Sequence, residues 1–394
     1  MMILKNIIVG GVSSDILIDG NKIDSVVKSG TVMCDDPGAE VVDCTGKVAL
    51  PGFVNMHTHA AMTMMRGMGE DIAFHEWLKL IWEVESRIDA EYVYHATKVA
   101  CLEMIKTGTT TFNDHYWHMP EAYRAAQEMG LRSVLAYVIC DRNESAETER
   151  QKEQCIRMFE QTKAWNDTAT FAIAIHAIYS VSEEMILWGT DFARRNGLKI
   201  HIHLSETSKE VEDCMAEHGV SPVVYLDRLG VLGPDVIAAH TLWLSEEDAE
   251  ILGKRGVTCV HNVNSNLKLA SGYRFPYAEL RDAGANICLG TDGCASSNNL
   301  DMLETMKTAA MIQKAWRNDP SAMPIPELIS MATSNAGKGL GLDVGRLEKG
   351  ALADIVIVDT WLSRLDGISV IRGVKGLSFS PGKAPSFILT SLAA

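Results

Sequence analysis

The chain has 394 residues, 47% of them hydrophobic and 22% charged, which is enough apolar material for a globular core without disulfides or a structural metal. The formal net charge of −15 argues against nucleic acid and anionic membranes as partners, because both demand a basic face. It leaves a small neutral or zwitterionic ligand open.

Residues 1–48 read as short strands: Ile3 to Val9, Asp15 to Ile18 and Lys22 to Val27, with Asp19-Gly20-Asn21 as a turn. From Pro51 the texture changes to strand followed by helix, repeatedly. Phe53 to Met56 is a first apolar run. A helix from about Ala90 to Lys106 stops at Gly108, and Thr109 to Phe112 follows as a second strand. Arg132 to Val138 and Phe171 to Ile175 are the third and fourth. Ser182 opens a helix with Glu183 and Glu184 in its first turn. Gly197 ends it before a fifth strand, Leu198 to Leu204. Val236 to Ala239 is the sixth. Ser245-Glu246-Glu247-Asp248 resembles a capping box, and Gly256 closes that helix before Val257 to Val260, the seventh. A helix over 277–283 leads to Asn286 to Gly290, the eighth.

Eight strands alternating with helices predict an α/β fold of the (β/α)₈ TIM-barrel type, with a doubly wound sheet as the alternative on pattern alone. Ala353 to Val358 returns to β texture. The expected organisation is therefore a barrel over 51–346, with a small β-sandwich domain built from segments 1–50 and 347–394.

Nine cysteines without a Cys-x-x-Cys pair suggest buried thiols in a reducing cytoplasm. No run reaches the ~18 apolar residues of a membrane span, and the first fifteen residues lack the layout of a signal peptide.

Four strand ends carry His or Asp: His57-Thr58-His59, His203, His240 and Asp292. On a strand, residues i and i+2 share a face, so His57 and His59 can converge on one ion. In a barrel these ends meet at one mouth. Imidazole and carboxylate together suit zinc or another divalent first-row metal. His201 shares the face of His203 one layer deeper and reads as packed. His115 and His261 end strands at the mouth without an assigned role.

The stretches Leu50-Pro51-Gly52-Phe53-Val54-Asn55-Met56-His57-Thr58-His59, His203-Leu204-Ser205-Glu206-Thr207, Ser265-Asn266-Leu267-Lys268-Leu269 and Gly290-Thr291-Asp292-Gly293 resemble the amidohydrolase superfamily. Within it they are similar to the branch of 5′-methylthioadenosine/S-adenosylhomocysteine deaminases and 5′-deoxyadenosine deaminases. The resemblance covers about residues 1–360. It implies one divalent metal per subunit, zinc before iron or manganese, held by His57, His59, His203 and Asp292. It also implies hydrolytic deamination of 5′-modified adenosines, with water as nucleophile, its pKa lowered toward ~7 by the metal.

Asp292 would accept the water's proton, His240 would orient the water, and Glu206 would protonate the ring nitrogen. Glu85 matches the family carboxylate that reads the ribose hydroxyls, and His176 matches a substrate-contacting His. Arg150 falls in an ill-matching loop, Asp141 to Gln151, where relatives hold an amino-acid tail. With Glu206 and Asp292, these complete the expected substrate contacts.

Trp82 is a possible floor for the adenine pocket, and Met62, Met64, Met65 and Met68 either flank a 5′ substituent or simply pack. The implied partner is a nucleoside, and relatives are often homo-oligomers. Two alternatives remain at this level: a hydrolase acting on another ring through the same site (a triazine chlorohydrolase, or a guanine or cytosine deaminase), and a non-catalytic barrel scaffold. Residues 361–394 are Ser- and Gly-rich, lack Glu and do not resemble the family. They are expected to be poorly ordered, as a truncated or frameshifted end or a genuine variant.

Overall fold

A computed structural model describes residues 1–31 and 38–359, together with the backbone of short strands at 362–365, 368–371 and 387–388. The remaining readings of the 361–394 tail lie outside the described residues. The chain opens with β1 (Met2–Val9), β2 (Val12–Asp19), β3 (Lys22–Lys28), β4 (Glu40–Asp43) and β5 (Lys47–Pro51). Eight further strands follow: β6 (Phe53–Thr58), β7 (Thr109–His115), β8 (Arg132–Ile139), β9 (Ala169–Ile175), β10 (Lys199–Leu204), β11 (Val236–His240), β12 (Thr258–His261) and β13 (Asn286–Leu289). All eight pair in parallel and in strict chain order.

The outer elements are α1 (Phe74–Glu85), α2 (Ala90–Lys106), α3 (Met119–Met129), α4 (Ser145–Thr162), α5 (Glu183–Arg195), α6 (Ser208–His218), α7 (Pro222–Arg228), α8 (Glu246–Arg255), α9 (Val263–Lys268), α10 (Tyr277–Asp282), α11 (Cys294–Ser297), α12 (Met302–Arg317), α13 (Ile325–Met331) and α14 (Ser334–Leu340). Strict sequential order is that of a (β/α)₈ barrel and not of a doubly wound sheet, whose order reverses midway.

The ends of the sheet meet. Asn55 Nδ2 donates to Thr291 Oγ1 at 2.7 Å, Thr291 N donates back to Asn55 Oδ1 at 3.0 Å, and Asp292 N donates to the His57 carbonyl at 2.9 Å. Gly290 permits this approach, because a Cβ there would lie 2.8 Å from the His57 nitrogen. Period-2 alternation sorts the strand residues: Val134, Ala136 and Val138 fill the barrel interior, while Leu135 and Ile139 pack toward the helices.

The helix boundaries follow local chemistry. Ser182 caps α5, Ser245 and Asp248 form a capping box on α8, and Gly256 ends α8 in the left-handed conformation. One reading is corrected. The stretch from Ser145 is helical, so Arg150 lies on α4. Strand β7 runs on to His115, because Asn113, Asp114 and His115 stay paired with β8 although the apolar run has ended.

Outside the barrel, β14 (Ile355–Asp359) runs antiparallel to β5 and joins one mixed sheet in the order Phe387–Ile388, β14, β5, β1, β2, β3, with β4 beside β1. Arg132 at the start of β8 forms a buried ion pair with Asp354, Nε to Oδ2 at 3.1 Å, tying barrel to sheet. Eight cysteines among the described residues are unpaired. Among those residues no helix is long and apolar enough to cross a membrane.

Candidate active site

The C-terminal strand ends bring His57, His59, His203, His240 and Asp292 together, with His115 and His201 beside them. Donor atoms of His57, His59 and Asp292 lie within 4.8 Å of one another, and so do those of His57, His115 and His203. His57 Nε2 and His59 Nε2 stand 3.4 and 3.1 Å from Asp292 Oδ1. The second nitrogens are engaged elsewhere. His59 Nδ1 meets the His115 carbonyl at 2.6 Å, His203 Nδ1 meets the His176 carbonyl at 2.8 Å, and His57 Nδ1 meets His201 Nε2 at 2.9 Å.

A carbonyl can only accept, so His59 and His203 carry their proton on Nδ1 and present the Nε2 lone pair to the shared centre. His57 Nε2 is buried with no hydrogen-bond partner, an orphan that fits a metal donor. The donor set suits one divalent ion. His201, read as packed, is buried but orients His57 and is itself approached by Asn113 Nδ2 at 3.3 Å.

The backbone is strained where these groups leave the strands. Ser205, His240 and Asp292 have φ of 51°, 72° and 62°, a region that L-residues enter only when surrounding structure holds them there. Asn262 and Asn266 were not assigned a role from sequence. Asn262 Oδ1 accepts the His240 amide at 3.2 Å, and Asn266 Nδ2 lies 3.0 Å from His240 Nδ1. The Ser265–Leu269 motif was the available signal. A donor on Nδ1 leaves the His240 proton on Nε2, which faces Asp292 Oδ2 at 4.0 Å.

Glu206 stands 3.7 Å from His240 Nδ1. Burial, with the charges of Asp292 and Glu210, holds its carboxyl well above the usual range. Glu210 also sets its direction, since its two oxygens accept the Ser205 and Glu206 amides, each at 2.8 Å. Asp292 goes the other way. Burial raises it, but the imidazoles of His57 and His59 beside it prevail and hold it well below the carboxylate range. Burial keeps His240 and His176 neutral, each pushed down to about 3.

One cavity lies over this cluster, bordered by Glu206, Asp292, His176, Met62 and, from α1, Trp82 and Glu85. Glu85 Oε1 is buried without a partner, and burial pushes its carboxyl up to about 7 against the pull of the Tyr116 hydroxyl. His176 Nδ1 is tied to Ser180 Oγ at 2.7 Å. Trp82 is half-buried, its ring 5.8 Å from that of His176.

Trp82 and Glu85 also border a wider adjoining cavity of about 550 Å³, and Arg150 lies on its far wall. Arg150 is exposed and is bound to Glu147 and Gln154. Of the methionines, only Met62 borders the inner cavity. Met65 is core, and Met64 and Met68 are exposed. His261 is buried and stacks on Phe275 with ring centres 4.1 Å apart.

Residues 48–386 match the profile described as the amidohydrolase family. The chain is 46% identical over 322 residues to a 5′-deoxyadenosine deaminase of Methanoregula boonei, covering 81% of this chain and 73% of that one. It is 41% identical over 350 residues to a 5-methylthioadenosine/S-adenosylhomocysteine deaminase of Thermococcus sibiricus, covering 88% and 81%. Among solved structures, an adenosine deaminase from Xanthomonas campestris with bound zinc superposes with a TM-score of 0.86 at 31% identity, covering 91% and 85%.

Proposed function

This chain belongs to the amidohydrolase family, and we propose that it hydrolyses the 6-amino group of 5′-modified adenosines, releasing ammonia and the inosine analogue. The named activities of the relatives from Methanoregula and Thermococcus support the substrate class. The observation that carries the reading is one cavity lined together by Glu206, the His–Asp cluster and Glu85. An acid suited to a ring nitrogen and a carboxylate suited to a diol therefore border the same space.

In this reading His57, His59, His203 and Asp292 hold one divalent ion, zinc by analogy with the Xanthomonas relative. When bound, such an ion acts as a Lewis acid and makes water a competent nucleophile near neutral pH. Glu206, protonated by its surroundings, donates to N1 of adenine, which renders C6 electrophilic. Asp292, held as a carboxylate, accepts the proton of the attacking water. His240 donates from Nε2 and fixes that water's direction. Asp292 passes the water's proton on to the amino nitrogen, the C6–N bond breaks as ammonia leaves, and the proton of the new C6 hydroxyl restores Glu206. Glu85 accepts from the ribose diol, for which a two-oxygen acceptor is well matched, and His176 lines the base.

The test is an ultraviolet assay of zinc-loaded protein with 5′-deoxyadenosine, 5′-methylthioadenosine, S-adenosylhomocysteine, adenosine and free adenine, with ammonia measured in parallel. Turnover of the nucleosides but not of free adenine is expected. Metal-loaded, folded protein inert toward every nucleoside overturns the reading.

A further inference from the structure

Lys268 belongs to the Ser265–Leu269 motif, yet it touches neither the His–Asp cluster nor the cavity. Its ammonium makes three bonds: to Glu70 Oε1 at 2.7 Å, Asn298 Oδ1 at 2.8 Å and the Ala295 carbonyl at 3.0 Å. A lysine has three donors, so every one is used, and the side chain is only 14% exposed. An ordinary surface ion pair, with one solvated contact, is a different object.

The three acceptors lie on two separate segments. Ala295 and Asn298 belong to α11 and its end, just after Asp292. Glu70 belongs to the connection between His59 and α1. Arg66, on that same connection, binds the Asn298 carbonyl and Glu103 of α2, and Glu103 Oε1 accepts the Leu300 amide at 2.9 Å. Asn298 is therefore a hub for two cations, and it is held in the left-handed region at φ 69°.

Beyond Arg66, the gripped connection buries little: residues 67, 68 and 70–73 are exposed. Residues 67–71 form turns, with Gly67, Gly69 and Asp71 all at positive φ. It leads directly into α1, in which only Trp77 and Ile81 are buried. That helix nevertheless supplies Phe74, Trp77, Leu78, Ile81, Trp82 and Glu85 to the cavity wall. Lys268 meanwhile sits on α9, two residues after Asn266, which contacts His240.

We propose that Lys268 is a positioning residue: through Glu70 it latches the 66–73 connection and so sets how far α1, with Glu85, stands from the His–Asp cluster. The proposal rests on the functional reading above only for its kinetic consequence. Ground-state and transition-state binding of the ribose would fall together when the latch is released, which raises KM and spares kcat.

Two measurements test it. Hydrogen exchange compares amides 67–85 in the wild type, Glu70→Gln and Lys268→Met. Faster exchange confined to that segment in both variants is expected, and unchanged exchange overturns the latch whatever the activity. Steady-state kinetics with 5′-deoxyadenosine follow. Glu70→Gln should raise KM about tenfold with kcat within about twofold, and Lys268→Met should do the same. In a Glu85→Gln background the Glu70 substitution should add nothing, because the group it positions is already gone. Equal losses in kcat, or additive effects with Glu85→Gln, overturn the link to Glu85. Wild-type protein that turns over no adenosine overturns the functional reading, and the exchange result then still decides the latch.

Discussion

The side-chain amide of Asn266 lies 3.0 Å from Nδ1 of His240, and this contact selects the ring nitrogen that faces Asp292. Asn266→Asp replaces the donor with an acceptor and draws the imidazole proton to Nδ1. The expected outcome is a fall in kcat of about 10–100-fold, the usual scale for a group that orients a reacting residue. The thermal midpoint should change little. Asn266→Ala should fall between this variant and the wild type, because it removes the preference without reversing it. Steady-state kinetics beside a melting curve check both.

Glu206 and Asp292 are two carboxyls pushed in opposite directions, which separates acid from base in one site. Because the acid form of Glu206 is required, kcat/KM should fall as pH rises through its elevated pKa. Asp292, held low, keeps its carboxylate well into the acid range. Glu206→Gln should lower kcat by about 10²–10⁴-fold and abolish the basic limb of the pH–rate profile. A basic limb that survives in the variant would assign that limb to another group.

The barrel and the gathering of histidines and Asp292 at its mouth were legible from sequence for one reason. Parallel strands buried on both faces read as short apolar runs, and the polar residues that end them sit at one mouth. That His57, His59, His203 and Asp292 come together at one mouth was therefore readable, and His201 is buried, as its place one layer below His203 predicts. What its nitrogens do was not readable, because the partner, His57, lies 144 residues away. The same holds for Asn262, Asn266 and Lys268, whose partners lie on other segments brought close by the fold, whereas Glu210 reaches back only to the amides of Ser205 and Glu206. The apolar run of β7 stops at Phe112, and the pairing continues through Asn113 and Asp114 to His115, the strand end the histidine pattern marks.

Arg132 and Asp354 are 5% and 1% exposed, and their ion pair joins β8 to the segment leading into β14. Removing one partner leaves the other charge buried. Arg132→Met should therefore destabilise the chain by about 3–5 kcal/mol, read as a shift in the urea midpoint at unchanged slope. Arg132→Met with Asp354→Leu should recover part of that loss. Full additivity in the double variant would show that the two groups do not act as a pair.

Stability of the metal-free protein should rise from pH 5 to pH 7. Seven histidines (His57, His115, His176, His201, His203, His240 and His261) are held below their ordinary pKa, chiefly by burial. Between their folded and unfolded values the unfolded chain binds more protons, so unfolding becomes harder as pH rises. Glu206, held well above the carboxylate range, Glu85 and Glu210, pushed up to about 7, Asp114, pushed up to about 6, and the raised Asp301 and His59 work in the opposite sense. They are fewer than the histidines, and surface carboxylates such as Glu76 and Glu128, lowered by hydrogen bonds to Lys79, Tyr94 and Lys98, reinforce the rise. Urea midpoints at the two pH values read the sign directly.

Metal removal follows from the orphaned Nε2 of His57. An ion that takes up this buried nitrogen and binds only the folded chain should raise stability by mass action, about 2.7 kcal/mol at a free concentration 100 times Kd. Chelation should therefore abolish turnover and lower the thermal midpoint together, and zinc should restore both at one equivalent per chain. His57→Ala and Asp292→Ala should each lose the zinc-dependent rise in midpoint. His115→Ala divides the two sets of donors that share His57. If His115 only lines the mouth, its loss leaves metal stoichiometry at one. If it is a ligand, the bound zinc falls with it.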